Sequence, residues 1–243
     1  LILETAAGVG YPAENLAAAG HRIVLGGQSL THTTRIDTAV IAAIEACVPI
    51  APLHNPPGLA GIRALAAHAP DLPQVGVFDT AFHATNPEVA LRYALPAAEE
   101  SKGIRRYGFH GISYASLTAR LPEVFGHVPQ RVLALHLGNG SSLCAIREGR
   151  SVASSMGYSP LDGLTMGTRT GQIDGNAVLR LAEDHGIEGA ARILNRESGL
   201  LALGGASDMR ALHAAGTDEA RFAIAHFCYW AVRHSGSVIA AMG

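Results

Sequence analysis

Three runs that read as strands end in polar or glycine residues. HRIVLGG stops at Gly26 and Gly27, QVGVFDT reaches Asp79, and LALHLGNG runs out through His136, Gly138, Asn139 and Gly140. In open α/β sheets ligands bind beyond the carboxyl ends of strands, so the three ends mark candidate chemistry. The turn GNGSS at 138–142 is the clearest phosphate candidate. Gly and Asn tolerate positive φ, and successive backbone N–H groups in such a turn can face one concavity. It is not a P-loop, because the lysine and the following helix are absent. Read alone, an Asn-Gly turn is more often an ordinary hairpin.

Arg22 lies inside an apolar strand, and Arg169 lies in the glycine-flanked loop MGTRTG. A buried guanidinium is costly unless an anion meets it. Each arginine is therefore expected against a carboxylate, with Asp79 or Asp174 available, or against a phosphoryl group, whose oxyanions match the guanidinium fork. His110 sits in RRYGFHG, between Phe109 and Gly111, in a loop shaped for close approach to a ligand. His54 occupies the stiff loop PLHNPPG, and His83 follows FDTAF. The 12 histidines form no HxH, HExxH or His–Cys set, so a zinc centre is not expected. The pair Arg105–Arg106 reads as a solvated or interdomain surface.

The elements that must carry these residues alternate between strand and helix, which argues for an α/β fold. DTAVIAAIEACVPIAP reads as a helix with Asp37 near its start and Pro49 near its end. ALAAHAP closes another helix, and PEVALRYALP is helix-like up to Pro96. GIRRYGFHGISYASLTARL starts as a loop and turns helical after Ser113. RVLALHLGNGSSLCAIREGRSVASSM reads as three strands joined by two turns. NAVLRLAEDHG, GAARILNRESG and the segment from Asp218 to Met242 read as helices. Phe222, Phe227, Tyr229 and Trp230 on the last of these are assigned to the core in preference to an interface. A domain boundary is expected close to residue 82, dividing 1–82 from 83–243.

Composition narrows the function classes. Of 243 residues, 48% are hydrophobic and 16% charged, which opposes intrinsic disorder. A net charge of -2 leaves no basic excess for a phosphate backbone, so nucleic acid is not an expected ligand. The apolar runs fall short of the ~18–20 residues of a membrane helix, and no signal peptide is visible. Cys47, Cys144 and Cys228 are scattered, which suits a reduced, cytoplasmic protein in which each is a small buried apolar residue.

The ordered set HRIVLGG, APLHNPPGLAGI, VFDTAFH, YALP, GIRRYGFHGIS, HLGNGSSLCAI, SMGYSPLDGLTMGTRTGQID and NRESGLL closely resembles the acetate kinase family, from about Gly20 to the end. Propionate and butyrate kinases share the pattern. The resemblance implies an actin-like ATPase fold of two RNase H-like domains, here a partial first domain and most of the second. It implies reversible transfer of the ATP γ-phosphoryl to acetate with Mg²⁺, and a homodimer. By the same resemblance Arg22 and Arg169 bind the carboxylate and the transferring phosphoryl, and Asp79 organises the nucleophile and the metal. His110 then hydrogen-bonds the phosphoryl, and His54 lines the cleft. Val24, Leu53, Phe109 and Pro160 match the apolar pocket for the methyl group. His136, Leu137, Gly138, Asn139 and Gly140 match a phosphate-binding turn of the nucleotide site. No metal ligand within the chain is assigned beyond this.

Departures from the family pattern are Leu25 and Tyr114 for histidines, Gly175 for proline and Asp162 for glutamate. Leu25 and Tyr114 are expected to remove polar groups beside the cleft. The family's amino-terminal NAGSSS-type phosphate turn and carboxyl-terminal GIGEN-type adenosine loop are not found, so the chain reads as the family's middle part, weak or inactive in isolation. The competing reading is a non-catalytic remnant that binds nucleotide or a partner. An actin-like sugar kinase is a third, disfavoured by the carboxylate-pocket motifs.

Overall fold

The computed structural model describes residues 2–52 and 54–243. After α1 (Ile2–Gly8), the chain builds a three-stranded sheet of order β1-β3-β2. β1 (Ala19–Ile23) runs parallel to β3 (Gln74–Phe78), and the short β2 (Thr34–Arg35) pairs antiparallel with the other edge of β3. Two helices link β2 to β3. α2 (Thr38–Ala46) starts at Asp37, whose carboxylate accepts from the Val40 N–H at 2.8 Å, in agreement with the sequence reading. α3 (Asn55–His68) starts with Pro56 and Pro57 in its first turn, where a missing N–H costs nothing. Val40 and Ile44 of α2 and Leu59 and Ile62 of α3 pack with Ile23, Leu30 and Phe78 in one apolar cluster. That cluster holds the carboxyl ends of β1 and β3 level: Ile23 faces Phe78 in register, and the Asp79 N–H donates to the Ile23 carbonyl at 2.9 Å.

The next segment is less helical than its sequence suggests. Only α4 (Glu88–Leu91) and α5 (Ala97–Glu100) form. Arg92 leaves the helix in an extended conformation, and Tyr93 is drawn off to other partners. Its hydroxyl accepts from the Tyr158 N–H at 3.0 Å, and the Arg106 guanidinium lies over its ring. Arg105, 13% exposed and donating at 3.0 Å to Gln28 Oε1 on the far side of residue 82, is accordingly not solvated, whereas Arg106 keeps 37% of its side chain exposed. Arg105 pairs with Glu88 and Glu100, and Arg106 with Asp162.

α6 (Gly111–Phe125) begins before Ser113, because the Gly111 N–H is already tied to the Asp79 carbonyl at 2.7 Å. The second sheet is an antiparallel meander of β4 (Arg131–Leu137), β5 (Ser141–Arg147) and β6 (Arg150–Ser154). Six consecutive residues of central β5 are buried, so its sequence shows no polar face. Side chains alternate across a strand. Cys144 and Ile146 pack with Tyr114 of α6, while Leu143 and Ala145 meet Leu164, Val238 and Met242 on the opposite face.

Four helices complete the chain: α7 (Gly175–Arg196), α8 (Gly199–Gly204), α9 (Met209–Ala215) and α10 (Asp218–Ala240). The two helices expected at 176–199 both form within α7, parted at Gly186, whose φ of 72° and ψ of 167° are not helical. Phe227 packs with Leu200 and Leu212, but Phe222 and Tyr229 are exposed, so the assignment of all four aromatics to the core fails for those two. Cys47 and Cys144 are buried as expected, whereas Cys228 is exposed on α10. Among the described residues no helix is long and apolar enough to cross a membrane.

Candidate active site

The level ends of β1 and β3 bring the first charged pair together. An Arg22 Nη2 donates to Asp79 Oδ2. Asp79 is buried, but the Arg22 side chain is 63% exposed, contrary to the burial inferred from its apolar strand. Strand β1 alternates in exposure, and Arg22 falls on its open side. Asp174, the other carboxylate considered, is unavailable, because it caps α7 by accepting from the Asn176 N–H at 2.8 Å.

The Asp79 carbonyl fixes the next component. It accepts the Gly111 N–H, and a Cβ on Gly111 would stand 2.3 Å from that same carbonyl oxygen. Only glycine fits there. His110, just before it, is held in the left-handed region at φ 60° as the cap of α6. Its ring stacks on His136, with centroids 4.0 Å apart, and its Nδ1 lies 2.8 Å from Ser142 Oγ. His136 in turn reaches Ser113 Oγ through its Nδ1 at 3.0 Å.

Arg169 closes the site from the loop after β6. It donates through Nη1 to the Pro160 carbonyl at 3.0 Å and has no carboxylate partner among the described residues. The point where a Cβ on Gly140 would stand lies 3.2 Å from Arg169 Nη1 and 3.4 Å from His110 Nε2. Glycine at 140 thus leaves open the space that both groups face. Positive φ is not what the 138–140 turn needs, since none of its residues adopts it. The turn is held instead by Ser141 Oγ donating to the Gly138 carbonyl and by the Gly167 N–H donating to the Asn139 carbonyl. Leu137, at its start, is exposed.

Apolar residues back the charged groups. Val24 and Phe109 belong to one cluster with Leu25, Cys47, Tyr107, Met156 and Met166. Leu53 lies outside the described residues. A cavity of about 1030 Å³ runs from His54, Pro160 and Arg169 along α7 to Arg192 and Arg196.

Electrostatics tie the cluster together. Burial, then the charges of His136, Arg22 and Arg169, push the His110 pKa down to about 3. His54 is also lowered, by burial and then by Arg169 and Arg22, while Asp79 opposes the shift. Burial lowers the Arg169 pKa, but a guanidinium stays charged at pH 7. The site therefore holds two permanent cations, one buried carboxylate and neutral imidazoles.

Among the described residues no three His, Cys, Asp or Glu side chains gather where they could hold a metal. A Mg²⁺ that arrives on a nucleotide needs only one or two carboxylates besides phosphate and water oxygens. Asp79, with one oxygen turned to Arg22, is the residue here that could offer one.

Two structural groups are not evident as such in the sequence. His83 is no ligand: it is fully buried, with Nδ1 2.8 Å from Ser151 Oγ and Nε2 2.9 Å from the Phe109 carbonyl. Ser142, which reads as part of a phosphate turn, points inward from β5 instead, between His110 and Tyr114. Its place in a fully buried strand is the available signal.

The Acetokinase family matches residues 3–243. The acetate kinase of Carboxydothermus hydrogenoformans is 45% identical over 237 residues, covering 94% of this chain and 60% of its own length. Among solved structures, the acetate kinase of Porphyromonas gingivalis is similar with a TM-score of 0.91 at 39% identity, over 100% of this chain and 64% of its own. A propionate kinase from Francisella tularensis gives 0.93 at 36%, over 98% and 63%. The chain thus spans about 60% of the length of its curated relatives, and its two sheets have the actin-like ATPase fold.

Proposed function

The chain belongs to the acetokinase family, and from that premise we propose that it carries the acyl-phosphate-forming half of a carboxylate kinase site. The reaction is transfer of the ATP γ-phosphoryl to acetate, with propionate as the second substrate, and it runs in both directions. The observation that carries this reading is that Arg169 and His110 face the space beside Gly140, while Arg22, paired with Asp79, lies close enough for its charge to act on His110.

A short carboxylic acid has a pKa near ~4–5, like a Glu side chain, and is already ionised at pH 7. It needs no general base. The barrier lies in bringing one anion against another, so catalysis is positioning plus fixed positive charge. Arg22, braced by Asp79, and Arg169, braced by the Pro160 carbonyl, supply that charge. Neutral His110 offers a hydrogen-bond donor without adding a third cation. Val24, Phe109 and Pro160 form the wall for the substrate's methyl group. His136, Leu137, Gly138, Asn139 and Gly140 hold a nucleotide phosphate, and His54 lines the cleft between. Mg²⁺, when bound, would neutralise charge on the phosphates, with Asp79 contributing an oxygen.

The domain boundary near residue 82 separates the two sheets on this reading. A cytoplasmic homodimer is carried over with it. The test supplies ATP, Mg²⁺, hydroxylamine and either acetate, propionate or glycerol, and looks for hydroxamate. The parent protein is expected to give colour with the short acids alone, and the 243-residue chain little. No turnover by the parent with any acid would favour a non-catalytic nucleotide- or partner-binding role.

A further inference from the structure

Tyr114 stands where the sequence pattern points to a lost polar group, yet its hydroxyl is placed with care. Tyr114 lies four residues after His110, one turn along α6 and on the same face. Its ring is 1% exposed, and its hydroxyl oxygen is 2.5 Å from Ser142 Oγ. That same Ser142 oxygen is 2.8 Å from His110 Nδ1. Ser142 is itself fully buried. Three side chains thus form a closed line of hydrogen bonds that ends on the imidazole of the candidate site.

The direction of the line decides what His110 can do. A serine hydroxyl has one proton to give, and a neutral imidazole carries its proton on one nitrogen only. A neighbouring line shows the same pattern with its direction fixed. The Phe109 carbonyl can only accept, so His83 carries its proton on Nε2. His83 Nδ1 must then accept from Ser151, whose oxygen lies 3.3 Å from Cys144 Sγ. Serine to Nδ1 to Nε2–H is therefore fixed there, and the Cys144 thiol can donate to Ser151 or to the Ala145 carbonyl. At His110 the phenol replaces the thiol, and the open space above Gly140 replaces the carbonyl. Among the described residues the phenol oxygen has no acceptor in reach but Ser142 Oγ, so a protonated Tyr114 gives its proton to Ser142.

We propose that Tyr114 and Ser142 are positioning residues for His110: the phenol donates to Ser142, Ser142 donates to Nδ1, and the imidazole proton is held on Nε2, facing the cleft. An anion entering that space then meets an N–H and not a lone pair. The reversed order would present a lone pair to the arriving oxygens. The proposal deepens the kinase reading, since it specifies how the chain prepares one donor of that site. It is nonetheless a statement about the resting protein.

The test is a long-range ¹H–¹⁵N spectrum of ¹⁵N-histidine-labelled protein at pH 7, with the His110 signals identified by their loss in His110→Asn. The wild-type pattern expected is that of the Nε2–H tautomer. In Tyr114→Phe and in Ser142→Ala the His110 nitrogen resonances are expected to shift toward a tautomer mixture, while those of His83 stay in place. Should one variant fail to fold, the wild-type tautomer and the other variant still decide. An Nδ1–H pattern in the wild type overturns the proposal, and so do unshifted His110 resonances in a folded Tyr114→Phe or Ser142→Ala protein. Because no substrate is added, the hydroxamate assay can fail while this result stands, or the reverse.

Discussion

Lowering the pH should destabilise this protein through its histidines before its carboxylates titrate. His83 is fully buried, and desolvation drives its pKa down to about 4, with the hydrogen bond to Phe109 opposing. His110 falls to about 3 for the reasons of burial and neighbouring charge. Both folded values lie below the unfolded value near ~6.5. The unfolded chain therefore binds more protons across the interval between them. The stabilisation is fully present above ~pH 6.5 and is lost as the pH falls toward the folded pKa. From pH 7 to 4.5 each such histidine costs about 2 kcal/mol. Most carboxylates protonate near or below the end of that window, so they contribute little to it. The assay is urea unfolding at pH 7, 5.5 and 4.5 for the wild type and His83→Gln. Gln lowers stability at every pH, but only the difference in slope matters: the variant should lose about 2 kcal/mol less than the wild type between pH 7 and 4.5. Equal slopes, within about 0.5 kcal/mol, would refute the burial-driven neutrality of His83.

On the proposed kinase reading, Arg22→Ala and Arg169→Ala in the parent protein should each lower hydroxamate formation at least about a hundredfold, or ~3 kcal/mol, while both proteins stay folded. A double variant with wild-type turnover would remove the basis of the mechanism. Gly111→Ala forces a Cβ to within 2.3 Å of the Asp79 carbonyl oxygen, so the backbone must move. We expect a loss of about 2–4 kcal/mol in urea unfolding. A change under about 0.5 kcal/mol would mean that the β3–α6 contact is slack.

Elements set by local chemistry are legible in the amino-acid sequence alone. Asp37 caps α2 because a short carboxylate satisfies a free helical N–H, and that needs only neighbours in sequence. The β4–β5–β6 meander follows from turn residues between apolar runs. Residues whose role depends on distant partners are harder to read. Arg22 looks buried because its neighbours are apolar, but exposure in a strand is set by which face the sheet covers. PEVALRYALP has helical composition, and Tyr93 is nevertheless pulled out of it by Tyr158 and Arg106, more than ten residues away. The glycines of 138–140 matter as the sequence suggests, but for another reason: Gly140 provides room beside Arg169 and His110, not a left-handed turn. Tyr114 reads as the loss of a polar group, because its partner Ser142 arrives from a strand 28 residues on.

On the proposed reading, the same electrostatics explain why the donor in this cleft is an imidazole. Among the described residues Asp79 is the carboxylate paired with either guanidinium, and it is turned to Arg22. A third cation would be repelled by both and would be desolvated as well, which is why His110 stays neutral. Neutrality has a cost for catalysis, since an uncharged imidazole can present either a proton or a lone pair. A permanent cation such as lysine would always donate, but in this pocket it would lose its proton or weaken the fold. A hydrogen-bond line that fixes the tautomer resolves the conflict: it gives a donor of definite direction without net charge. The buried line through Cys144, Ser151 and His83 does the same for the Phe109 carbonyl, and so braces the residue just before His110. Two serines facing inward from β5 and β6 therefore set the proton positions of both histidines that frame Phe109, and neither serine needs to touch a substrate.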